Sequence, residues 1–381
     1  MSGFFHGVEV IELDSGIRPI QTVRSSVIGI VGTASEADND RFPLNEPVLV
    51  VNRVEAAKLG SQGTLADALD LIYDQIGAVV VVVRVEHDDD IAKQLANIQG
   101  GVDAETEKRT GVHALLDAES KLGVKPRILT IPKYSTETGI VAELIGIAET
   151  LKAVIIAEAP SMTDEAAKLY AGNFDSARVY VIDPQVEVLK EGIKTLLPSS
   201  PAVAGLIAKI DHSIGWHYSP SNHSVNGITG TERAIEYSFE ANSRANLLNE
   251  HNVNVIIRQN GWRLWGNRTT SNDPKWQFLC VRRTADMLNE SLLYAHQWAV
   301  DRGITKTFID DITMSVNDYL RTLVAQGRIL GGQCWVDQTV NTNNEIKSGH
   351  ITFDFDFTPV YPAERITFRS LLTDDYIDEI F

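Results

Sequence analysis

The chain has 381 residues, of which 44% are hydrophobic and 22% are charged, an ordinary composition for a soluble globular protein. This length predicts two or three domains rather than a single core. The formal net charge is 34 − 51 = −17, which argues against nucleic acid as a partner because phosphate binding needs a basic face.

The cysteine content and the length of the apolar runs indicate in which cellular compartment the chain is made. Cys280 and Cys334 are the two cysteines of the chain, too few for a disulfide framework or a cysteine zinc site. Residues 1–13 lack the basic start and apolar core of a signal peptide. The longest apolar run, residues 78–83, is far shorter than the roughly 20 residues that span a bilayer. We therefore expect synthesis in a reducing cytoplasm and no direct membrane insertion.

The first residues are predicted to form an arm, residues 1–25. Val8, Val10 and the following Ile11 belong to a short strand-like stretch. Pro19 then breaks the pattern, because proline cannot donate to a strand ladder. The segment is too short and too polar to bury itself.

Residues 26–251 alternate between apolar strands and amphipathic helices. Continuous apolar runs, typical of strands covered on both faces, occur at 27–31, 48–51, 78–85, 127–132, 153–159 and 179–183. Helical spacing runs from Thr64, the expected N-cap, to Ile76, and two further helices are predicted within 140–151 and 163–172. The polar stretch 87–111 is predicted to be a loop or a solvated helix. This alternation predicts an α/β domain with a largely parallel sheet.

Residues 252–358 have a different pattern. Two alternating strands flank Asn260-Gly261, the strongest short hairpin signal. Two helical periodicities follow, from Val281 to Ala299 and from Ile312 to Leu323, and then strands at 333–337 and 350–357. In the last strand three phenylalanines share one face, which we expect to lie in the core: Phe353, Phe355 and Phe357. We predict a separate α+β domain.

The chain ends in a second predicted arm, residues 359–381. Pro359 and Pro362 stop the preceding strand, yet Ile366 and Phe368 begin an apolar alternation again. An unpaired strand invites association with other chains. We therefore expect this arm to leave its own sheet and pair with another chain.

Four local patterns resemble catalytic, cofactor-binding or metal-binding motifs. Residues 29–34, GIVGTA, lack the third glycine and the following helix of a dinucleotide fingerprint, so they predict a tight turn. Cys334 lies in a sequence similar to that around the papain nucleophile, but in a strand-like run, so a small buried hydrophobe is expected. His212, His217 and His223 have spacings of five and six and no carboxylate cluster, unlike a metal site. Asp211, His212 and Ser213 are consecutive, and consecutive residues do not form a catalytic triad. We predict no catalytic residue, cofactor or metal.

Long runs of the sequence carry a family resemblance. They lie at 6–13, 26–34, 100–116, 202–237, 246–269, 273–287, 295–308, 331–337 and 353–368. In this order they closely resemble the tail sheath proteins of contractile-tailed bacteriophages, above all the short sheaths of the temperate enterobacterial phage type and of R-type pyocins. The resemblance covers essentially the whole chain.

The resemblance implies a subunit with an inner α+β domain near the tail tube and a more exposed α/β domain. In this family the α/β part is similar to the subtilisin fold. The chain has no Gly-Thr-Ser nucleophile segment, so a non-catalytic version is expected. Subunits would stack as six-start rings around the tube, in a virion tail assembled in the host bacterial cytoplasm. Tail tube, baseplate and tail terminator proteins would be the other partners.

The resemblance also assigns roles to residues. The two arms would add strands to the inner-domain sheet of neighbouring subunits, through Val8, Val10 and Ile11 at one end and Ile366 and Phe368 at the other. An inner-domain helix faces the tube in this family, so Arg282 and Arg283 are expected to touch an acidic tube surface. Two alternatives stay open: the sheath of a headless contractile bacteriocin or injector and, more distantly, a cytoplasmic α/β hydrolase.

Overall fold

A computed structural model gives the fold and describes residues 19–240 and 242–373. The strands in chain order are β1 (Ile28–Thr33), β2 (Pro47–Val50), β3 (Val80–Val85), β4 (Gly101–Val102), β5 (Arg109–Thr110), β6 (Ile128–Thr130), β7 (Val154–Glu158), β8 (Val179–Asp183), β9 (Val186–Lys190), β10 (Ile193–Leu197), β11 (Gly230–Thr231), β12 (Val253–Arg258), β13 (Trp262–Trp265), β14 (Ile329–Trp335) and β15 (Asp354–Pro359). Val8, Val10 and Ile11 lie outside the described residues.

The α-helices in chain order are α1 (Arg53–Ala56), α2 (Leu65–Tyr73), α3 (Ile91–Gln99), α4 (Ala118–Leu122), α5 (Thr138–Leu151), α6 (Asp164–Ala171), α7 (Ser200–Ser213), α8 (Arg244–Glu250), α9 (Leu279–Ala295), α10 (Lys306–Ala325) and α11 (Asn343–Lys347). Short 3-10 helices lie at Ala57–Leu59, Gly111–Asp117 and Gln297–Ala299.

An eight-stranded sheet in the order β13-β12-β8-β7-β6-β1-β3-β2 forms the centre of the molecule. Its six inner strands run parallel, and the edge strands β2 and β13 are antiparallel to their neighbours. Every residue of β1, β3, β6, β7 and β8 is buried. Helices cover both faces, with α2 and α7 on one and α5, α6 and α8 on the other. The continuous apolar runs of the sequence are these doubly covered strands.

The hairpin at 253–265 belongs to this sheet. β12 pairs in parallel with β8, with Val253 opposite Val181 and Val255 opposite Asp183. The prediction that the hairpin opens a separate α+β domain at residue 252 is therefore wrong. The hairpin joins the large sheet because the apolar residues of β12 are buried on both faces. A strand that is apolar on both faces is stable only inside a covered sheet.

The stretch 87–111 contains more structure than a loop. α3 buries Ile98, and the side chain of Gln94 accepts a hydrogen bond from the backbone N–H of Asp88 at 2.9 Å. β4 and β5 then form a two-stranded ribbon. Of the two predicted alternatives, the helix is the one observed.

The residues after the hairpin form a second, smaller unit. It consists of α9, α10, α11 and the antiparallel pair β14–β15. Its core contains Met287 and Leu288 from α9 and Val316, Leu320 and Leu323 from α10. We call this set of side chains the C-terminal core.

Candidate assembly site

The pair β14–β15 is a sheet of two strands. Trp335 lies opposite Asp354, Cys334 opposite Phe355 and Gln333 opposite Asp356, with an irregularity between Ile329 and Gly331. Within the described part of the chain neither strand has a second neighbour. On the outer edge of β14 the N–H of Cys334 donates to Asn317 Oδ1 and its C=O accepts from Asn317 Nδ2, both at 2.9 Å. No second strand pairs with the outer edge of β15 among the described residues, and such an edge is a template for addition of another strand.

The two faces of β15 differ sharply. Phe353, Phe355 and Phe357 are partly buried against the C-terminal core, and the rings of Phe355 and Phe357 stack at a centroid distance of 6.3 Å. Asp354 is half-buried and Asp356 is exposed on the other face. The strand begins at Asp354, later than the predicted residue 350, so Phe353 precedes it.

The C-terminal segment leaves the sheet after Pro359 and is held at its root. Tyr361 packs edge-on against Phe278 at 6.4 Å. Glu364 accepts hydrogen bonds from Arg268 at 2.7 Å (Nε–Oε1) and 2.5 Å (Nη2–Oε2). We call this ion pair the arm latch.

Beyond the arm latch the chain has no regular structure up to residue 373 and is exposed throughout. The relative exposure of Ile366 is 69% and that of Phe368 is 93%, while Leu371 and Leu372 reach 88% and 99%. Four large apolar side chains so close together are unusual on a free surface and are typical of an interaction site.

The N-terminal segment reaches the same unit. Ile20 and Val23 pack against the C-terminal core. Thr22 Oγ1 and Tyr319 Oη are 3.0 Å apart, and Ser291 Oγ accepts from the N–H of Val23 at 3.2 Å. The two ends of the described chain thus converge on the unit that carries the free sheet edges.

The basic pair at the start of α9 is bound within the chain. Arg283 is 4% exposed, and its guanidinium donates to Asp211 at 2.6 and 2.5 Å and to the Ser25 carbonyl at 3.1 Å. Contact with a tail tube is therefore wrong for Arg283, because a buried carboxylate already neutralises it. Arg282 is half-buried, stacks on Trp276 and donates to Asp286, so its tube contact stays a prediction.

Buried ion pairs dock α9 onto the α/β unit. Asp286 accepts from Arg178 at 2.7 and 3.0 Å. Glu290 accepts from Lys125 at 2.7 Å and lies 3.1 Å from Arg127 Nη2. Burial alone would raise the pKa of Glu290, but the hydrogen bonds from these two cations outweigh it and lower that pKa. These pairs were not predicted from the sequence. The available signal was that two acids, Asp286 and Glu290, lie four residues apart within the buried length of the helix.

Another buried carboxylate lies at the end of β7. Glu158 accepts from Ser200 Oγ at 2.6 Å, from Ser200 N–H at 3.1 Å and from Lys133 N–H at 3.0 Å. Burial raises the pKa of Glu158 to about 7, although these hydrogen bonds act in the opposite direction. Ser200 has 0% exposure, so this group stabilises the first turn of α7 and offers no accessible nucleophile.

The remaining candidate chemical sites, at Cys334 and at residues 211–213, consist of residues that are buried or that lie at the end of a helix. Cys334 is 7% exposed, and burial raises its pKa to about 11. Asp211, His212 and Ser213 lie on the last turn of α7, with Asp211 bound to Arg283. Across residues 19–240 and 242–373, no cluster of three or more metal-ligating side chains occurs. No helix in those ranges is long and apolar enough to cross a membrane.

Comparison with family models covers most of the chain. Residues 25–85 match the model described as tail sheath protein Gp18 domain III N-terminal region. Residues 107–270 match the phage tail sheath protein central domain. Residues 271–373 match the phage tail sheath C-terminal domain. The last boundary lies just after the β12–β13 hairpin, where the structure passes to its second unit.

Full-length relatives and solved structures agree with these models. The chain is 39% identical to a prophage major tail sheath protein of Pseudomonas aeruginosa (strain UCBPP-PA14), covering 99% of this chain and 98% of that protein. It is 40% identical to the tail sheath protein of Escherichia phage P2, with the same coverage. The helical sheath of the anti-feeding prophage in its contracted state superposes with a TM-score of 0.74 at 22% identity, covering 97% and 99% of the two chains.

Proposed function

Since the chain belongs to the phage tail sheath family, a family of structural proteins rather than enzymes, we propose that it polymerises by strand donation and contracts around a tail tube. The observation that carries this proposal is the two-stranded sheet β14–β15, whose strands have no second neighbouring strand among the described residues, beside the exposed segment 365–373 that leaves the body after the arm latch. Each subunit would therefore supply a strand to one neighbour and accept a strand from another.

Strand donation has a clear energetic basis. Backbone hydrogen bonds between a donated strand and a free edge supply affinity, and alternate side chains supply register. Burial of Ile366 and Phe368 in a neighbour would add about 1.5–3 kcal/mol for each side chain. A head-to-tail contact that does not close on itself builds a helical polymer, which we propose to be the six-start sheath.

The remaining partners follow from this arrangement. We place the smaller unit towards the tube, with the exposed side of α10, including Asp311 and Met314, as a tube-facing surface. The baseplate and the tail terminator would bind the terminal rings, whose free edges lack a neighbour on one side. Contraction would then rotate and slide whole subunits while the donated strands keep the polymer linked.

Two finer assignments belong to the same proposal. The α/β unit would be a non-catalytic relative of the subtilisin fold, supported by its parallel sheet with helices on both faces. Assembly would take place in the host bacterial cytoplasm, which suits a protein whose two cysteines are free. A headless contractile injector would use the same subunit chemistry, so the two settings differ in their neighbouring components rather than in this chain.

Truncation tests the proposal directly. Removal of residues 360–381 should leave a monomer that unfolds like the full chain but forms no tubes or rings in electron micrographs. Removal of residues 374–381 alone is the matched control, because it keeps Ile366 and Phe368, and it should still assemble. Contractile tubes from the longer truncation would contradict strand donation, and an unfolded product would place residues 363–370 in the subunit's own core.

A further inference from the structure

We propose that the segment Arg365–Arg369 of one subunit pairs with the free edge of β15 in a neighbouring subunit, and that charge complementarity selects this edge over that of β14. This inference rests on the proposed strand donation and adds the acceptor edge and the facing of the donated strand.

The donor segment reads Arg-Ile-Thr-Phe-Arg, and all five residues are exposed. In an extended chain Ile366 and Phe368 point to one side, and Arg365, Thr367 and Arg369 point to the other. None of the ion pairs between described residues includes either arginine. The segment therefore has one apolar face and one cationic face, and among the described residues the cationic face has no ion-pair partner.

The edge of β15 has the opposite pattern. Phe355 and Phe357 face the C-terminal core, while Asp354 and Asp356 lie two residues apart on the outer face. Asp356 accepts a hydrogen bond from the N–H of Gln333 at 2.9 Å. In the described structure neither aspartate has a cationic partner within 4.0 Å. Two like charges on one face of a short strand repel each other until a cation lies beside them.

The two patterns fit in one parity only. With Ile366 and Phe368 beside the phenylalanine face, Arg365 and Arg369 lie on the aspartate face, within direct or diagonal cross-strand reach. A slip of one residue would set arginine against phenylalanine and isoleucine against aspartate. The exposed side chains of β14 are Leu330, Gln333 and Trp335. Because none of them carries a charge, the edge of β14 cannot form ion pairs with Arg365 and Arg369.

The chain does not satisfy this match internally. Residues 360–364 are the whole connection between β15 and the donor segment, and the arm latch ties Glu364 to Arg268. Pro362 and the contact of Tyr361 with Phe278 further oppose a tight reversal. The donor segment and the complementary edge do not meet within this chain, and we infer that they pair between subunits in a head-to-tail contact.

Charge exchange tests the match. The pair of changes Arg365→Glu and Arg369→Glu should raise the concentration needed for assembly about tenfold or more. Asp354→Arg with Asp356→Arg should do the same, and all four changes together should restore assembly. Lys58→Glu with Lys93→Glu, two exposed lysines on α-helical or 3-10 segments of the α/β unit, makes the same charge change and should leave assembly as it is. Assembly of both reversed variants at the normal concentration would overturn the proposal.

Cross-linking identifies the strand edge that accepts the donor segment, even if the variant with Asp354→Arg and Asp356→Arg folds poorly. Thr367→Cys combined with Asp356→Cys should give disulfide-linked ladders of subunits on oxidation, since both native cysteines are buried. Thr367→Cys combined with Gln333→Cys should not. Ladders only from the second combination would move the donor to β14. No ladders from either, while the 360–381 truncation still blocks assembly, would reject the β15 pairing and leave strand donation intact. No ladders together with assembly of that truncation would reject strand donation itself.

Discussion

Replacing Asp286 by alanine should lower the free energy of unfolding of the unassembled subunit by about 3–5 kcal/mol, the usual cost of removing one partner of a buried ion pair. The carboxylate is 1% exposed and accepts three hydrogen bonds, at 2.7 and 3.0 Å from Arg178 and at 2.9 Å from Arg282. Arg178 keeps its bond to the Ala153 carbonyl at 3.0 Å, so the loss is smaller than the sum of three charge-assisted bonds. Urea unfolding of the monomer measures it.

Two further variants decide whether burial of the charge is the cause. Lys168→Ala removes an exposed pair with Glu165 at 2.8 Å and should cost less than about 1 kcal/mol. Arg178→Met combined with Asp286→Leu removes the main buried pair and should recover most of the stability lost in Asp286→Ala, because no bidentate pair is left half-broken. A loss for Asp286→Ala no larger than that for Lys168→Ala would refute the conclusion that these ion pairs dock α9 onto the α/β unit.

Three other outcomes are expected. Glu158 has a pKa raised from 4.5 to about 7 by burial, so its stabilising contribution is complete below the unfolded value and is lost as the pH rises through the folded one. Glu158→Gln should therefore remove about 2–3 kcal/mol of the decline in unfolding free energy between about pH 5 and about pH 8, and an unchanged decline would contradict this. Arg268→Ala should slow sheath assembly yet leave the unfolding free energy of the monomer within about 1 kcal/mol, because the pair with Glu364 is partly exposed. Normal assembly kinetics would contradict a role of the arm latch in assembly. Cys280 and Cys334, buried and with pKa values raised to about 12 and about 11, should resist a thiol reagent until the chain unfolds, and rapid labelling of the native monomer would count against their burial.

The α/β unit was largely predictable, because its signals are local. Continuous apolar runs and helical spacings each occupy one stretch of chain, and β1, β3, β7 and β8 lie where those runs occur. The assignment of β12 failed for a non-local reason. An Asn-Gly turn shows that two strands form a hairpin, but only the covering of both faces of β12 shows that the hairpin belongs to the large sheet.

The ion pairs of α9 illustrate a second limit. Arg282 and Arg283 look like a free basic patch in the sequence, since nothing nearby in the chain marks Asp211, 72 residues away, as the partner of Arg283. Charge on a helix predicts exposure on average, and a buried pair overrides that average whenever a distant opposite charge reaches it. The exposed arm residues Ile366 and Phe368 were accessible to sequence reasoning, because prolines and a two-residue alternation are adjacent features.

The relative strength of these contacts indicates where a sheath subunit can move. The α/β unit and the smaller unit are held together by buried pairs at Asp286, Glu290 and Arg283, each of which is expensive to break. The arm latch is one partly exposed pair, with relative side-chain exposures of 32% and 37%, and it should cost less to break than these buried pairs. A load applied along the polymer should therefore shift the root of the arm before it separates the two units. We accordingly expect contraction to reorient the arm about residues 360–364 while the body, from Ile20 to Pro359, moves as one piece. Buried ion pairs within the subunit and a partly exposed latch at the root of the arm are the combination that we expect to let neighbouring subunits change their relative positions without unfolding.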